Sequence, residues 1–171
     1  MSLPERKFRI ELLASSHDRN SFACGKDALD RYVRTQAGQD MRRHLATCFV
    51  LTSADAPERI LGFYTLAATS IELQGLPEAV AKRLPRYPRI PATLLGRLAV
   101  NLEQQGQGLG EILLLDALAR ALSSEIASFA VTVDPIDDAA RRFYEGYWFL
   151  PLGLEERRLF LPMSEIAQLF S

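Results

Sequence analysis

The chain has 171 residues, 48% of them hydrophobic and 24% charged, which suits one soluble globular domain with a well-buried core. Its longest apolar stretches are broken by Gly, Arg, Thr or Asp, so no membrane span or membrane partner is expected. Net charge is −1, yet residues 1–102 hold 15 Lys/Arg against 10 Asp/Glu and the remainder is acidic. On charge alone that asymmetry is ordinary variation between solvated faces. Met1 to Lys7 lacks the apolar core of a signal peptide, and Cys24 and Cys48 form no C-x-x-C pair. A reduced, cytoplasmic protein without a disulfide framework is expected.

Phe8-Arg9-Ile10-Glu11-Leu12 alternates and predicts a first strand. Gly25 to His44 predicts one helix with Leu29, Tyr32, Val33 and Gln36 near one face and a basic end, Arg42-Arg43-His44. Thr47–Leu51 and Ile60–Ala68 predict strands paired around the turn residues Ser53–Pro57. Gln74 to Pro91 is broken by Pro77, Pro85, Pro88 and Pro91, leaving room for a short helix near 78–83. It carries Lys82, Arg83, Arg86 and Arg89, with no acid between Ala79 and Leu102, and reads as a basic surface excursion. The apolar run Leu94–Val100 predicts a strand and Leu109–Leu118 an amphipathic helix. Phe129–Val133 predicts a buried strand, Asp137–Glu145 a helix, and Phe149-Leu150 with Leu159-Phe160-Leu161 two closing strands around a turn at Glu155-Glu156. Ser164–Phe170 predicts a terminal helix capped by Ser164. The order predicts an α/β fold, a mixed central sheet with helices on both faces, in a single domain over 1–171.

Between the predicted strand and helix lies Gln105-Gly106-Gln107-Gly108-Leu109-Gly110. Glycine lets the backbone turn sharply and approach a ligand, because no Cβ intervenes. The first N–H groups of a helix lack internal partners and carry partial positive charge, so this arrangement can hold a phosphate. It is no Walker A loop, since Glu111 and Ile112 stand where Lys and Ser or Thr are needed. Glycines at 106, 108 and 110 also miss the dinucleotide pattern G-x-G-x-x-G.

Gln105, Gly108 and Gly110 instead match Gln/Arg-x-x-Gly-x-Gly/Ala, and the chain here resembles the GCN5-related N-acetyltransferases (GNAT family). That resemblance implies a GNAT fold and acetyl-CoA as cofactor, its pyrophosphate cradled by Gln105, Gly106, Gln107, Gly108, Leu109 and Gly110. It further implies that Leu98, Ala99 and Val100 line the thioester, their backbone N–H groups stabilising the developing oxyanion. Arg142-Phe143-Tyr144-Glu145 is similar to the family's Phe-Tyr-Glu-x-x-Gly-Phe, which places Phe143 at the cofactor and Tyr144 beside its sulfur. A phenol titrating near ~10 can protonate a departing thiolate at neutral pH. Two positions depart from the family: Trp148 stands where Gly is usual, and Asp137 where many relatives carry Asn against the pantetheine arm.

The resemblance narrows further. Phe22-x-Cys24-Gly25-x-x-x-Leu29-Asp30-x-Tyr32, Gln39-Asp40-x-x-Arg43, Lys82-Arg83-Leu84-Pro85-Arg86-Tyr87-Pro88, Leu95–Val100 and Leu159–Met163 look like the GNAT toxins of bacterial toxin–antitoxin pairs. Such a toxin acetylates the α-amine of an aminoacyl-tRNA and blocks translation. Its partner is a ribbon-helix-helix antitoxin, and relatives suggest a homodimer. The candidate tRNA surface is Arg42, Arg43, Lys82, Arg83, Arg86, Arg89 and Arg97, since tRNA is bound mainly through its phosphates. Arg97 either positions the acceptor end or pairs with a carboxylate. No general base and no metal site are expected; His17 and His44 are read as surface residues. An α-amine titrating near ~7.7–8 supplies its own neutral fraction, whereas a lysine near ~10.4 would need more help. The competing readings are a GNAT enzyme acting on a free small amine or a protein N-terminus, and a non-catalytic acetyl-CoA binder.

Overall fold

Among the described residues, alternating and β-branched runs form seven strands, arranged in one sheet in the order β1-β2-β3-β4-β5-β7-β6. The computed structural model describes residues 7–153 and 157–171. The strands are β1 (Phe8–Leu12), β2 (Thr47–Ser53), β3 (Gly62–Glu72), β4 (Arg89–Val100), β5 (Ala130–Val133), β6 (Leu150–Pro151) and β7 (Leu159–Pro162). β4 and β5 are parallel, whereas β1–β2, β2–β3, β5–β7 and β6–β7 are antiparallel, so the sheet is mixed as expected. The turn expected at Glu155-Glu156 lies outside the described residues, as does most of the segment Met1 to Lys7.

The chain divides into two compact units, each made of two segments. The first comprises Met1–Leu66 and Arg97–Ala117. In it β1 pairs with β2 from Phe8↔Ser53 to Leu12↔Phe49, and β2 with β3 from Thr47↔Leu66 to Leu51↔Gly62. Phe22, Tyr32, Val33, Cys48, Val50, Ile60 and Phe63 build its core. Phe22 and Phe63 meet edge to face at 5.4 Å, a favoured quadrupole geometry. Gly62 is packed so closely that a Cβ there would lie 2.8 Å from Leu113 Cδ1 and 2.9 Å from the Ala99 carbonyl.

The helix expected from Gly25 to His44 is interrupted. α1 (Asp27–Arg31) and α2 (Ala37–Arg42) flank a π-helical turn, Tyr32–Gln36, whose closing bond runs from Ala37 N–H to the Tyr32 carbonyl. One extra residue in the ladder leaves the apolar period almost intact, which is why periodicity reads the segment as a single helix. Tyr32 and Val33 are buried and Leu29 packs against the core, but Gln36 is exposed, contrary to its expected place on that face. The run ends where His44 takes φ 59 and Leu45 N–H returns to the Asp40 carbonyl at 2.8 Å.

The second unit comprises Ala67–Gly96 and Leu118–Ser171. β4 pairs with β5 from Ala92↔Ala130 to Leu95↔Val133, and β5 with β7 from Ala130↔Pro162 to Val133↔Leu159. Ile71, Leu76, Ala92, Ala130, Leu152 and Phe160 form its core. The proline-broken excursion holds a short helix, α3 (Glu78–Ala81), before β4 begins at Arg89. Leu113, Leu114, Ala117, Leu118 and Ala121 are the buried stripe of α4 (Leu109–Ser123), at the i, i+4 spacing that an amphipathic helix needs. Each buried leucine there is worth about 1.5–3 kcal/mol of transfer free energy. α5 (Asp138–Glu145) and α6 (Met163–Leu169) follow. The N-cap of α6 is Pro162, with no side-chain capping bond, so Ser164 is not the cap. Proline pre-sets an extended approach, and the cap lies two residues before the hydroxyl that suggested it.

Candidate active site

β4 delivers Leu98, Ala99 and Val100, of which Ala99 is buried and the other two half-buried. A 3-10 turn, Leu102–Gln104, follows, with the Asn101 side chain accepting Glu103 N–H at 3.3 Å. The chain then turns through Gly106 at φ +82 and Gly108 at φ +80 into α4. These left-handed conformations cost a non-glycine residue about 1–2 kcal/mol. A Cβ at either position would meet nothing within 4 Å, so these glycines serve backbone conformation and leave open space above the turn. The first bond of the helical ladder runs from Ile112 N–H to the Gly108 carbonyl at 3.3 Å, leaving the N–H groups of Leu109, Gly110 and Glu111 ahead of it. Open space, left-handed glycines and leading N–H groups fit a pyrophosphate.

Gln105 does more than open the pattern. Its side-chain amide donates to the Cys24 carbonyl at 2.9 Å and the Val100 carbonyl at 3.0 Å. Leu102 N–H donates to the Ala23 carbonyl at 2.8 Å. The front motif Phe22-x-Cys24-Gly25 is therefore the brace of the glycine turn, a pairing across about eighty residues that no local pattern reveals. Gln105 N–H itself faces the Leu102 carbonyl at 3.4 Å.

Tyr144 is buried near the end of α5, its ring packed edge-on against Phe143 at 5.3 Å and Phe149 at 5.4 Å. Phe143 is half-buried and also meets Tyr147 at 5.2 Å. Burial raises the Tyr144 phenol above its ordinary value, because the low-dielectric surroundings penalise the phenolate. Its hydroxyl takes no hydrogen bond among the described residues. The phenol is thus held in its neutral form, which carries a proton to donate.

The two departures have physical accounts. Trp148 sits at φ 71 with 62% of its surface exposed, a left-handed residue where glycine carries no penalty. Asp137 is the N-cap of α5, one carboxylate oxygen accepting Ala140 N–H at 2.8 Å. The helix thus already uses an oxygen of the residue expected at the pantetheine arm.

Arg42 and Arg43 are exposed at the end of α2, and Lys82, Arg83, Arg86 and Arg89 are exposed in the second unit. Arg89 also borders a cavity of about 980 Å³ with Ile71, Leu76, Leu152 and Arg158. Arg97 is half-buried, with its guanidinium carbon 3.6 Å from the centroid of the Tyr32 ring. Of the two roles expected for it, pairing with a carboxylate is not what forms among the described residues, where an aromatic ring is its close neighbour. Nothing in the linear sequence couples Tyr32 to Arg97; only the packing of the π-helical turn does.

His17 is a correction. It is buried, its Nδ1 accepting Ala14 N–H at 2.9 Å and its Nε2 lying 2.9 Å from Glu11. It braces the turn after β1, and only His44 is exposed as expected. Cys24 and Cys48 are buried free thiols, their pKa values raised by desolvation to about 11 and about 12. Among the described residues, no group of three His, Cys, Asp or Glu could hold a metal ion, and no helix is long and apolar enough to cross a membrane.

Comparison with known proteins matches residues 15–147 to the description "Acetyltransferase (GNAT) family". The chain is 34% identical over 159 residues to a tRNA-acetylating toxin of Mycobacterium tuberculosis, covering 92% of this chain and 93% of that protein. It is similar to AtaT complexed with acetyl-methionyl-tRNAfMet, with a TM-score of 0.89 and 31% identity over 96% of this chain and 100% of the other. A tyrosine-to-phenylalanine mutant of AtaT, bound to the C-terminus of the antitoxin AtaR and acetyl-CoA, aligns with a TM-score of 0.81 and 28% identity over 96% and 98%.

Proposed function

The chain belongs to the acetyltransferase (GNAT) family, and we propose that it is a toxin that acetylates the α-amine of aminoacyl-tRNA and so blocks translation. As a family member it is an acetyl-CoA-dependent N-acetyltransferase. The observation that carries the chemical part is the open, left-handed glycine turn leading into α4. Support for the substrate comes from near full-length similarity to a tRNA-acetylating toxin and to AtaT in complex with an acetylated aminoacyl-tRNA.

In this reading acetyl-CoA supplies an activated acetyl thioester. The N–H groups from Gly106 to Gly110 hold the pyrophosphate, with Gln105 clamping the turn to Cys24 and Val100. Backbone N–H groups of Leu98–Val100 would polarise the thioester carbonyl, and Phe143 and Asp137 would contact the pantetheine arm. The neutral α-amine attacks the acetyl carbon, its nitrogen forms the amide bond, and the carbon–sulfur bond breaks with its electron pair on sulfur. Tyr144 gives its proton to that sulfur, and the amine's proton passes to water. His17, tied to Glu11 and the Ala14 N–H, is spent as a base. An α-amine titrating near ~7.7–8 needs none.

The exposed cations Arg42, Arg43, Lys82, Arg83, Arg86 and Arg89 meet tRNA phosphates, which position a nucleic acid without reading its sequence. Residues 1–171 work as one acetyltransferase domain in the cytoplasm, as a homodimer held inactive by a ribbon-helix-helix antitoxin. AtaT bound to the C-terminus of AtaR supports the antitoxin reading. The test uses purified protein, labelled acetyl-CoA and total charged tRNA, with free amino acids, polyamines and peptides in parallel. Label on base-labile aminoacyl-tRNA is expected. Label only on small amines or peptides would replace this substrate with a free amine or a protein N-terminus.

A further inference from the structure

Three residues from three separate motifs, Tyr32, Asp40 and Arg97, meet in the first unit. The Arg97 guanidinium lies 3.6 Å from the Tyr32 ring centroid, within the range of a cation–π contact. The Tyr32 ring is itself stacked on Phe63, 6.3 Å away and 19° from parallel, so it cannot swing aside. Its hydroxyl donates to Asp40 Oδ2 at 2.9 Å, and Gln36 Nε2 donates to Asp40 Oδ1 at 2.9 Å.

The π-helical turn makes this possible. In a regular α-helix, residues eight apart are rotated about 80° from one another, because 3.6 residues make a turn. One extra residue in the ladder makes eight residues span what seven would, which brings Tyr32 and Asp40 to within about 20° on one face. Asp40 then has both oxygens occupied by neutral donors, and it forms no ion pair with Arg97 among the described residues. Arg97 makes no hydrogen bond or ion pair with any described residue. A guanidinium carries five N–H donors in a rigid fork, and stacking fixes its plane while leaving its edge open. A half-buried, stacked arginine with an unused fork is a preorganised receptor for a phosphate, which accepts two parallel N–H bonds. Arg43, exposed nearby on the same helical run, adds a second cation whose field Asp40 feels together with that of Arg97.

We propose that Tyr32 and Asp40 are positioning residues for Arg97, holding its fork to receive a backbone phosphate at the acceptor end of the aminoacyl-tRNA. This rests on the substrate class proposed above and names the residues that would aim that end at the acetyl site. Tyr32 fixes the plane of the guanidinium by stacking. Asp40 fixes the ring through its hydroxyl and keeps the local field from becoming wholly cationic.

The experiment is steady-state acetylation of charged tRNA by the wild type, Arg97→Lys, Arg97→Gln, Tyr32→Phe, Asp40→Asn and the double variant Asp40→Asn/Arg97→Lys. Arg97→Lys keeps the charge and loses the fork, so KM for aminoacyl-tRNA rises about tenfold, the loss of one charged hydrogen bond. The kcat changes less than KM, and the KM for acetyl-CoA stays unmoved. Tyr32→Phe and Asp40→Asn raise the tRNA KM by a smaller factor, and Asp40→Asn adds nothing once Arg97 is lysine. Arg97→Gln lowers the slope of log KM against log salt by about 0.7–0.9, the signature of one phosphate contact. An Asp40→Asn effect that persists in full in the Arg97→Lys background, or an unchanged salt slope in Arg97→Gln, overturns the proposal. Both Tyr32→Phe and Asp40→Asn preserve shape, and a melting curve of each checks that the core is intact. A wild type that transfers no label to aminoacyl-tRNA overturns the parent substrate reading and this choice of ligand together. A wild type that acetylates tRNA with Arg97→Gln unaltered overturns this proposal alone.

Discussion

Replacing Tyr144 by phenylalanine should separate chemistry from folding. The ring contacts with Phe143 and Phe149, at 5.3 and 5.4 Å, survive the change. The lost hydroxyl takes no hydrogen bond from the described residues, so no partner is orphaned. Stability should therefore stay within about 0.5 kcal/mol of wild type. A positioned general acid contributes about 10²–10⁴-fold, so kcat should fall by that factor. At about 1.36 kcal/mol per decade, this is about 2.7–5.4 kcal/mol of transition-state stabilisation. The assay is transfer of labelled acetyl to charged tRNA at saturating acetyl-CoA, beside calorimetric acetyl-CoA binding and a thermal melt. A kcat within threefold of wild type would refute the proton-donor role. A drop in melting temperature above about 4 °C would refute the claim that the hydroxyl is structurally idle.

Gly108→Ala meets no atom within 4 Å, so its stability cost should be the conformational one of about 1–2 kcal/mol, while acetyl-CoA affinity falls further because the methyl enters the cradle. Unchanged affinity by calorimetry would remove the turn from the cofactor site. The double change Arg83→Glu/Arg86→Glu should weaken tRNA acetylation and reduce its salt dependence without altering acetyl-CoA binding; a variant KM equal to that of wild type at each of two salt concentrations would show those exposed cations idle. Burial raises the thiols of Cys24 and Cys48 from 9.0 to about 11 and about 12, and raises the phenols of Tyr32 and Tyr144 above 10.0. Above those ordinary values the unfolded chain releases protons that the folded chain retains, so stability present below pH 9 is lost as pH rises beyond it. The melting temperature should fall progressively from pH 9 upward, with a shallower fall in Cys48→Ala. A flat profile to pH 11 would contradict the burial of these groups.

The sequence by itself determined the repeating features. An alternating run places β1, short apolar runs place β2 and β7, and the glycine spacing with its following amphipathic run marks the turn into α4. Both depend on neighbours a few residues apart, which a linear string records. Tyr144 was singled out because its motif is contiguous, and the left-handed conformation at Trp148 is one that glycine adopts without penalty. Tertiary structure alone decided what depends on contacts between distant segments. Cys24 holding Gln105, His17 turning inward to Glu11, and Tyr32 stacking beneath Arg97 each join residues whose separation carries no period. The π-helical turn is the sharpest case. One inserted residue leaves the hydrophobic pattern nearly unchanged, yet it brings Asp40 onto the face of Tyr32, whose hydroxyl donates to it while its ring meets the Arg97 guanidinium.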